Sequence, residues 1–159
     1  MSKPTVFITG ATGFIGAQVT LFALQAGYNV KLSVRRPAQI EPLRQAFTEF
    51  AESIDYVVVP DYTKAEALDA ALQGVDLVIH VASPLPGGAE QDLMTPAVKG
   101  TVSILESALR VASIKKVVIT ASVASLVPLD RYTDGTVVTG KLFFYTSAIL
   151  NLRIRADAL

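Results

Sequence analysis

Three glycines near the start of the chain have the spacing of a phosphate-binding turn. Gly10, Gly13 and Gly16 follow an apolar, β-branched run and precede a stretch with apolar residues at helical spacing, residues 17–26. Gly10 permits a sharp exit from the strand, Gly13 lets the backbone approach a pyrophosphate, and Gly16 lets the helix pack close to the sheet. Phosphates would sit on the amides at the positive end of the helix. The pattern predicts a dinucleotide-binding loop rather than a turn that only closes strand–helix packing.

An arginine stands at the end of the second predicted strand, residues 28–34. In a dinucleotide fold this strand end lies beside the adenosine ribose. An acid there binds the 2′-hydroxyl of NAD, whereas an arginine complements the 2′-phosphate of NADP. Arg35 lies about 20 residues beyond Gly16, as that role requires, and residues 33–36 contain no Asp or Glu. The sequence therefore predicts NADP rather than NAD, the alternative being a solvated charge at a strand end.

The other predicted strands and helices must bring the glycine loop and Arg35 to the same edge of a sheet. Further strands are predicted at residues 54–59, 76–81 and 116–120, and further helices at 38–52, 64–72 and 90–112. The run 54–59 is apolar enough for burial on both faces, as in a parallel sheet. On the last of these helices, Leu105, Leu109 and Ala112 are expected to face the sheet. Five strand–helix alternations with right-handed crossovers predict a doubly wound, Rossmann-like parallel α/β sheet with strand order 3-2-1-4-5.

The composition excludes several functional classes. The chain has 159 residues, 51% hydrophobic and 18% charged, which suits one domain over 1–159. It has 14 basic and 14 acidic residues, so neither nucleic acid nor an anionic membrane is an expected partner. The absence of cysteine excludes disulfides and thiolate metal sites, and no metal site is expected. The first residues lead straight into a strand, leaving no room for a signal peptide, and a cytoplasmic protein is predicted.

The stretch TGATGFIG resembles the cofactor loop of the extended short-chain dehydrogenase/reductases. Over residues 4–127 the chain is similar to the branch of dihydroflavonol reductases and cinnamoyl-CoA reductases. The resemblance implies that Thr12, Phe14 and Ile15 join the three glycines in binding the cofactor. It also implies that Ala82 and Ser83, in the stretch HVASP, run past the cofactor's ribose and pyrophosphate.

Each of two further residues at strand ends has two possible roles. The resemblance implies that Asp61, followed by Tyr62, binds the adenine amino group or holds the loop that does so, whereas a turn or capping aspartate is the other interpretation. His80 is the only histidine. A lone imidazole in an apolar strand is expected to be a hydrogen-bonded core residue rather than a catalytic group or metal ligand.

The resemblance assigns catalysis to Ser122, which would orient a substrate carbonyl, and to Tyr145, which would donate the proton. Family members carry Tyr-x-x-x-Lys, where the lysine lowers the tyrosine pKa and binds the nicotinamide ribose. Here Ile149 stands at the lysine position, and Lys141 is one turn too early for the ribose. A shortened variant, a pseudoenzyme and a different catalytic helix remain open explanations.

The chain is also expected to lack most of the substrate lobe of this branch. The favoured function is an NADP-dependent oxidoreductase domain whose chemistry is hydride transfer to a small aldehyde or ketone. The alternatives are a non-catalytic NADP-binding sensor or interaction module, and a truncated product. Monomer and homodimer both remain open.

Overall fold

A computed structural model of the chain describes residues 3–84 and 94–121, which form a parallel sheet with helices on both faces. These elements belong to the first of two units into which contacts divide the chain, residues 1–120. The strands are β1 (Thr5–Thr9), β2 (Asn29–Val34), β3 (Ile54–Val58), β4 (Leu77–His80) and β5 (Lys116–Ile119). Every neighbouring pair is parallel, and the order is β3-β2-β1-β4-β5. The predicted fold class and strand order are confirmed.

The helices divide between the two faces of the sheet. They are α1 (Phe14–Gln25), α2 (Ile40–Ala46), α3 (Ala65–Ala71) and α4 (Met94–Arg110). Leu24 of α1 and Leu43 of α2 belong to one buried apolar cluster, and Leu68 of α3 and Ile104 of α4 belong to another. The sheet is covered on both sides because connections leading away from β1 in opposite directions must lie on opposite faces if each crossover is right-handed.

The central strand β1 contributes to both clusters. Val6 and Ile8 pack in the α1–α2 cluster, and Phe7 packs in the α3–α4 cluster. Alternate residues of a strand point to opposite faces, so a strand covered on both sides needs consecutive apolar residues. Because the strand is enclosed, its carboxyl end is a fixed point from which the following loop starts.

Strand β3 is less buried than the sequence predicts. Its apolar run was expected to be covered on both faces, but β3 is an edge strand and Val58 is 36% exposed. On this edge the guanidinium of Arg44 lies 5.5 Å from the centre of the Tyr56 ring. An apolar run identifies a parallel strand but carries no information about whether the strand is central.

Helix α4 buries a different face from the predicted one. Leu109 is 78% exposed and Ala112 is also exposed, so the prediction that they face the sheet is wrong. The buried residues of α4 are instead Gly100, Ser103, Ile104, Ser107 and Ala108. Small side chains let α4 approach the α3 region closely, and the hydroxyls of Ser103 and Ser107 donate to the backbone carbonyls of Thr63 and Ala65.

The predicted helix 38–52 is interrupted. It consists of α2 between two 3₁₀ segments, Pro37–Gln39 and Thr48–Ser53. The hydroxyl of Thr48 donates to the carbonyls of Arg44 and Gln45, at 3.1 and 2.9 Å, where a continuing helix would place backbone amides. The predicted core side chains are nevertheless turned inward, since Leu43 and Phe47 are buried and Phe50 packs against them.

Candidate functional site

The glycine loop leaves β1 in a conformation that only glycine adopts easily. Gly10 has a φ of +77°. A Cβ at this position would also lie 2.8 Å from the amide nitrogen of Ala82, in the segment that follows β4. Gly10 therefore serves the predicted sharp exit and, in addition, brings the loop after β1 against the segment after β4.

Gly16 and Gly13 have different surroundings. A Cβ on Gly16 would overlap the carbonyl of Gly10 and lie 2.9 Å from the amide nitrogen of Ala11. The first turn of α1 therefore packs directly against the backbone of the glycine loop. A Cβ on Gly13 would meet only the carbonyl oxygen of Gly10, at 3.4 Å. Packing therefore demands glycine at position 16 but not at position 13, where the backbone is open to close approach by a ligand.

The amino end of α1 is open to an anion. Gly13 caps the helix with extended backbone, no side chain caps the end, and the first turn contains no acidic residue. The first hydrogen bond of the helix runs from the amide of Ala17 to the carbonyl of Gly13. The amides of residues 14–16 therefore have no acceptor within the helix. Phe14 and Ile15 are 94% and 59% exposed, and Thr12 is exposed. The predicted loop residues thus surround a helix end with partial positive charge.

Arg35 lies directly after β2 in a bend held by a side chain that the sequence analysis missed. The backbone amides of Arg35 and Arg36 both donate to Oε1 of Gln39, at 3.0 Å each. Arg35 is exposed, and among residues 3–84 and 94–121 no carboxylate forms an ion pair with it. The proline at position 37, which starts the 3₁₀ segment, was the available signal for this bend.

Five of the predicted binding residues line one cavity at the carboxyl edge of the sheet. The cavity has a volume of about 460 Å³. The five are Arg35, Asp61, Tyr62, Ala82 and Ser83, which follow three different strands. His80 and, from α4, Lys99 also line it, and Lys99 is a residue that the sequence analysis did not single out. The glycine loop does not line this cavity but adjoins it through the contact between Gly10 and Ala82.

Asp61 forms a turn. Its Oδ1 accepts hydrogen bonds from the backbone amide and the hydroxyl of Thr63, at 2.8 and 2.7 Å. The Thr63 hydroxyl and amide hold the pKa of the Asp61 carboxyl below its usual range. The turn interpretation is therefore confirmed, and the adenine contact stays a prediction.

Tyr62 is anchored by its hydroxyl. Its Oη lies 2.8 Å from Oγ of Ser33, and Ser33 in turn donates to the carbonyl of Ile8 at 3.3 Å. With the Ser33 hydrogen used in this way, the phenol of Tyr62 is the donor. Burial raises the pKa of this phenol. The hydroxyl of Tyr62 is therefore held by the sheet, and Tyr62 also lines the cavity.

His80 is a hydrogen-bonded core residue, as predicted. It is 5% exposed, and its Nδ1 lies 2.8 Å from Oγ1 of Thr9. Oγ1 of Thr9 also accepts from the backbone amides of Val81 and Ala82, at 3.1 and 3.0 Å. Because these two amides occupy the lone pairs of the hydroxyl, its hydrogen goes to Nδ1 of His80, and the neutral imidazole carries its proton on Nε2. Burial lowers the pKa of His80.

The lowered pKa predicts that acid weakens the fold well above the range where carboxylates titrate. Below about pH 6.5 the unfolded chain protonates its histidine while the folded chain keeps it neutral, so stability falls as pH falls, by up to about 1.4 kcal/mol per pH unit. The chain has one histidine and no cysteine. Urea unfolding at pH 7.5, 6.5 and 5.5 (about one unit either side of the reference pKa) should show this slope. His80→Asn should remove it, and equal stability of the wild type at all three values would contradict it.

Several predicted features lie outside the described residues. These are Ser122, Tyr145, Lys141 and the isoleucine at position 149. Within residues 3–84 and 94–121, no group of three His, Asp or Glu side chains could hold a metal ion. In the same residues, no helix has the length and apolar character needed to cross a bilayer.

The parallel sheet in order 3-2-1-4-5, with a glycine loop after β1, defines a Rossmann-like domain. A model of the 3-beta hydroxysteroid dehydrogenase/isomerase family matches residues 7–141. The chain belongs to this family, and the predicted resemblance to the extended reductases is confirmed.

Three relatives illustrate the match. Ketoreductase sphI of Aspergillus fumigatus is 45% identical over 139 residues, which are 87% of this chain and 41% of the relative. Dihydroflavonol 4-reductase of Callistephus chinensis is 32% identical over 129 residues, 79% of this chain and 35% of the relative. A third match is the solved structure of yeast methylglyoxal/isovaleraldehyde reductase Gre2 complexed with NADPH, with a TM-score of 0.70 and 35% sequence identity. The matched region covers 77% of this chain and 38% of the reductase chain. The chain thus spans about two fifths of the length of such relatives.

Proposed function

We propose that the chain is an NADP(H)-binding domain of the carbonyl reductase type, which binds its cofactor across the carboxyl edge of the sheet. The observation that carries the proposal is the meeting of five predicted binding residues in one cavity, beside a helix end suited to a pyrophosphate. Crevices outside the carboxyl ends of the strands are where doubly wound sheets bind ligands. The similarity to a reductase whose structure contains NADPH supports the same assignment.

The glycine loop suits the pyrophosphate. The amides of residues 14–16 point out of the amino end of α1, and Gly13 leaves room for phosphate oxygens to approach the backbone. No acid lies in the first helical turn to repel the phosphates. The loop would therefore hold the centre of the cofactor through backbone groups alone.

The cavity suits the adenosine half. Arg35, exposed and without an ion-pair partner among the described residues, is placed to bind a 2′-phosphate bidentately. Asp61 uses Oδ1 in its turn, so Oδ2 is the atom left to accept from the adenine amino group. This charge arrangement favours NADP(H) over NAD(H).

When bound, the cofactor would supply a hydride to the carbonyl carbon of a small aldehyde or ketone. In this chain Ser122 would orient the carbonyl oxygen by a hydrogen bond, and Tyr145 would donate a proton to that oxygen. The similarity to a ketoreductase, a dihydroflavonol 4-reductase and a methylglyoxal/isovaleraldehyde reductase supports a carbonyl substrate.

A second candidate function is a binding module without catalysis. Isoleucine stands at position 149, where the resemblance predicts the lysine that assists Tyr145. Without a lysine at that position the phenol would be a weaker proton donor to the reacting oxygen, and the nicotinamide ribose would lose a contact. We therefore expect slow turnover or none.

Turnover separates the two candidates. The purified chain is mixed with NADPH and a panel of aldehydes and ketones, and NADPH consumption is followed. Measurable reduction that is abolished in Tyr145→Phe supports a reductase, and NADPH binding with no consumption supports the module. Failure of the folded chain to bind NADPH would contradict both. Ile149→Lys should raise the rate if Tyr145 is the proton donor.

A further inference from the structure

The bend that carries Arg35 is held by backbone hydrogen bonds at both of its ends. On the sheet side, Val34 is the buried last residue of β2, and its carbonyl accepts from the amide of Val59 at 2.8 Å. On the other side, the amide of Gln39 donates to the carbonyl of Arg36 at 3.0 Å. The bend after β2 is therefore a short segment between two fixed points.

The side chain of Gln39 closes the same bend. Its Oε1 accepts from the amides of Arg35 and Arg36, at 3.0 Å each, so one oxygen uses both of its lone pairs on two successive donors. Pro37 has no amide hydrogen, and a proline favours extended backbone in the residue before it. Arg36 has such backbone, with a φ of −137° and a ψ of 141°. Each amide of residues 35–37 is thus bonded to Gln39 or, at Pro37, absent, and a phosphate in the cavity depends on side chains at this bend.

The side chain of Arg35 has little else to orient it. It is exposed, and no carboxylate within residues 3–84 and 94–121 forms an ion pair with it. It nevertheless lines the cavity together with Tyr62. Burial raises the pKa of the Tyr62 phenol, and the hydrogen bond with Ser33 and the charge of Arg35 oppose this shift, so the guanidinium lies within electrostatic reach of the phenol. The direction of the Arg35 side chain therefore depends on the backbone from which it starts.

We propose that Gln39 is a positioning residue for cofactor selection, which directs the guanidinium of Arg35 towards the 2′-phosphate by holding the backbone of Arg35 and Arg36. Gln39 does not line the cavity, so it acts through Arg35 and not on the nucleotide. If the bend opens, Arg35 adopts other directions, and the apparent dissociation constant rises as the fraction in the binding conformation falls. This inference rests on the proposed function, because the direction of Arg35 matters only if a 2′-phosphate enters the cavity.

Replacing Gln39 by methionine keeps the length of the side chain and removes the amide. Water can replace the acceptor in part, because Gln39 is only half-buried. We therefore expect Gln39→Met to bind NADPH about fivefold more weakly and NADH within about twofold of the wild type. Fluorescence titration with each nucleotide gives the two dissociation constants. A general loss of stability would weaken binding of both nucleotides, whereas the proposed role changes the ratio between them.

The same substitution in an Arg35→Gln background distinguishes an indirect role from a direct one. If Gln39 acts only by positioning Arg35, the double variant should bind NADPH within about twofold of Arg35→Gln alone, because effects of residues that act together are not additive. A direct contact between Gln39 and the nucleotide would cost the same factor in both backgrounds. Equal losses in the two backgrounds would therefore overturn the inference.

Gln45→Met is the matched control. Gln45 is exposed, donates to Oε1 of Glu41 at 3.2 Å and does not line the cofactor cavity, so the same chemical change should leave both dissociation constants unaltered. Hydrogen exchange at the amides of residues 35 and 36 should accelerate in Gln39→Met and not in Gln45→Met. Unchanged NADPH affinity in Gln39→Met would overturn the inference. Failure of the wild type itself to bind NADPH would instead overturn the proposed function.

Discussion

Replacing Gly16 by alanine is expected to destabilise the fold by about 3 kcal/mol or more, at or beyond the upper end of the usual cost of overpacking. The added methyl would overlap the carbonyl of Gly10. This carbonyl belongs to a loop that cannot retreat, because Gly10 is itself in contact with Ala82. Either α1 or the loop must move, and both bear the proposed phosphate site. Urea unfolding measures the change in free energy, and NADPH binding should be lost with it.

The matched control is Gly100→Ala. Gly100 is also a buried helical glycine, but a Cβ there would make an ordinary 3.5 Å contact with Cβ of Tyr62. Because alanine favours helix over glycine by roughly 1 kcal/mol, this variant should be as stable as the wild type or slightly more so. Equal stabilities of Gly16→Ala and Gly100→Ala would contradict the packing of the loop described above.

Replacing Arg35 by glutamine should weaken NADPH binding by about 10- to 100-fold and leave NADH binding within about threefold. The proposed bidentate contact between a guanidinium and a 2′-phosphate is a charge-assisted hydrogen bond of about 1.5–3 kcal/mol, and about 1.4 kcal/mol corresponds to a factor of ten. NADH has no 2′-phosphate and loses nothing. Titration of the variant with both nucleotides gives the two dissociation constants.

Arg36→Gln is the control for net charge. Arg36 follows Arg35 directly and is also exposed, but it does not line the cavity. Its removal changes the charge of the chain equally, and exposed charges at a distance are screened by salt, so NADPH binding should weaken by less than about threefold. Equal losses in the two variants would show that Arg35 acts only through the general field and not through a specific contact.

The fold could be predicted because its determinants are local. Strands and helices alternate along the chain, and right-handed crossovers then give a doubly wound parallel sheet, whose order 3-2-1-4-5 is the one typical of a dinucleotide-binding glycine loop after the first strand. The chemistry at the strand ends follows from the same rule, since residues after the strands of a parallel sheet meet at one edge. Arg35, Asp61 and Ala82 therefore came together in the structure as expected.

What could not be predicted depends on distant neighbours. The hydrogen bonds of Thr9 connect residues more than 70 positions apart, and a threonine before a glycine gives no sign of them. The buried face of α4 was misjudged because leucine is more apolar than serine, yet the close approach of α3 and α4 requires the small side chains of Ser103 and Ser107. A local pattern also could not distinguish the turn role of Asp61 from an adenine contact, since both need an aspartate after a strand.

The proposed function requires that the carboxyl edge of this sheet binds NADP(H). The most direct measurement is a fluorescence titration of the purified chain with NADPH and, separately, with NADH, on a sample whose folding has been verified by a cooperative unfolding transition. We expect saturable NADPH binding in the micromolar range and NADH binding at least about tenfold weaker, which corresponds to about 1.4 kcal/mol. Absence of binding of either nucleotide to the folded chain would contradict it.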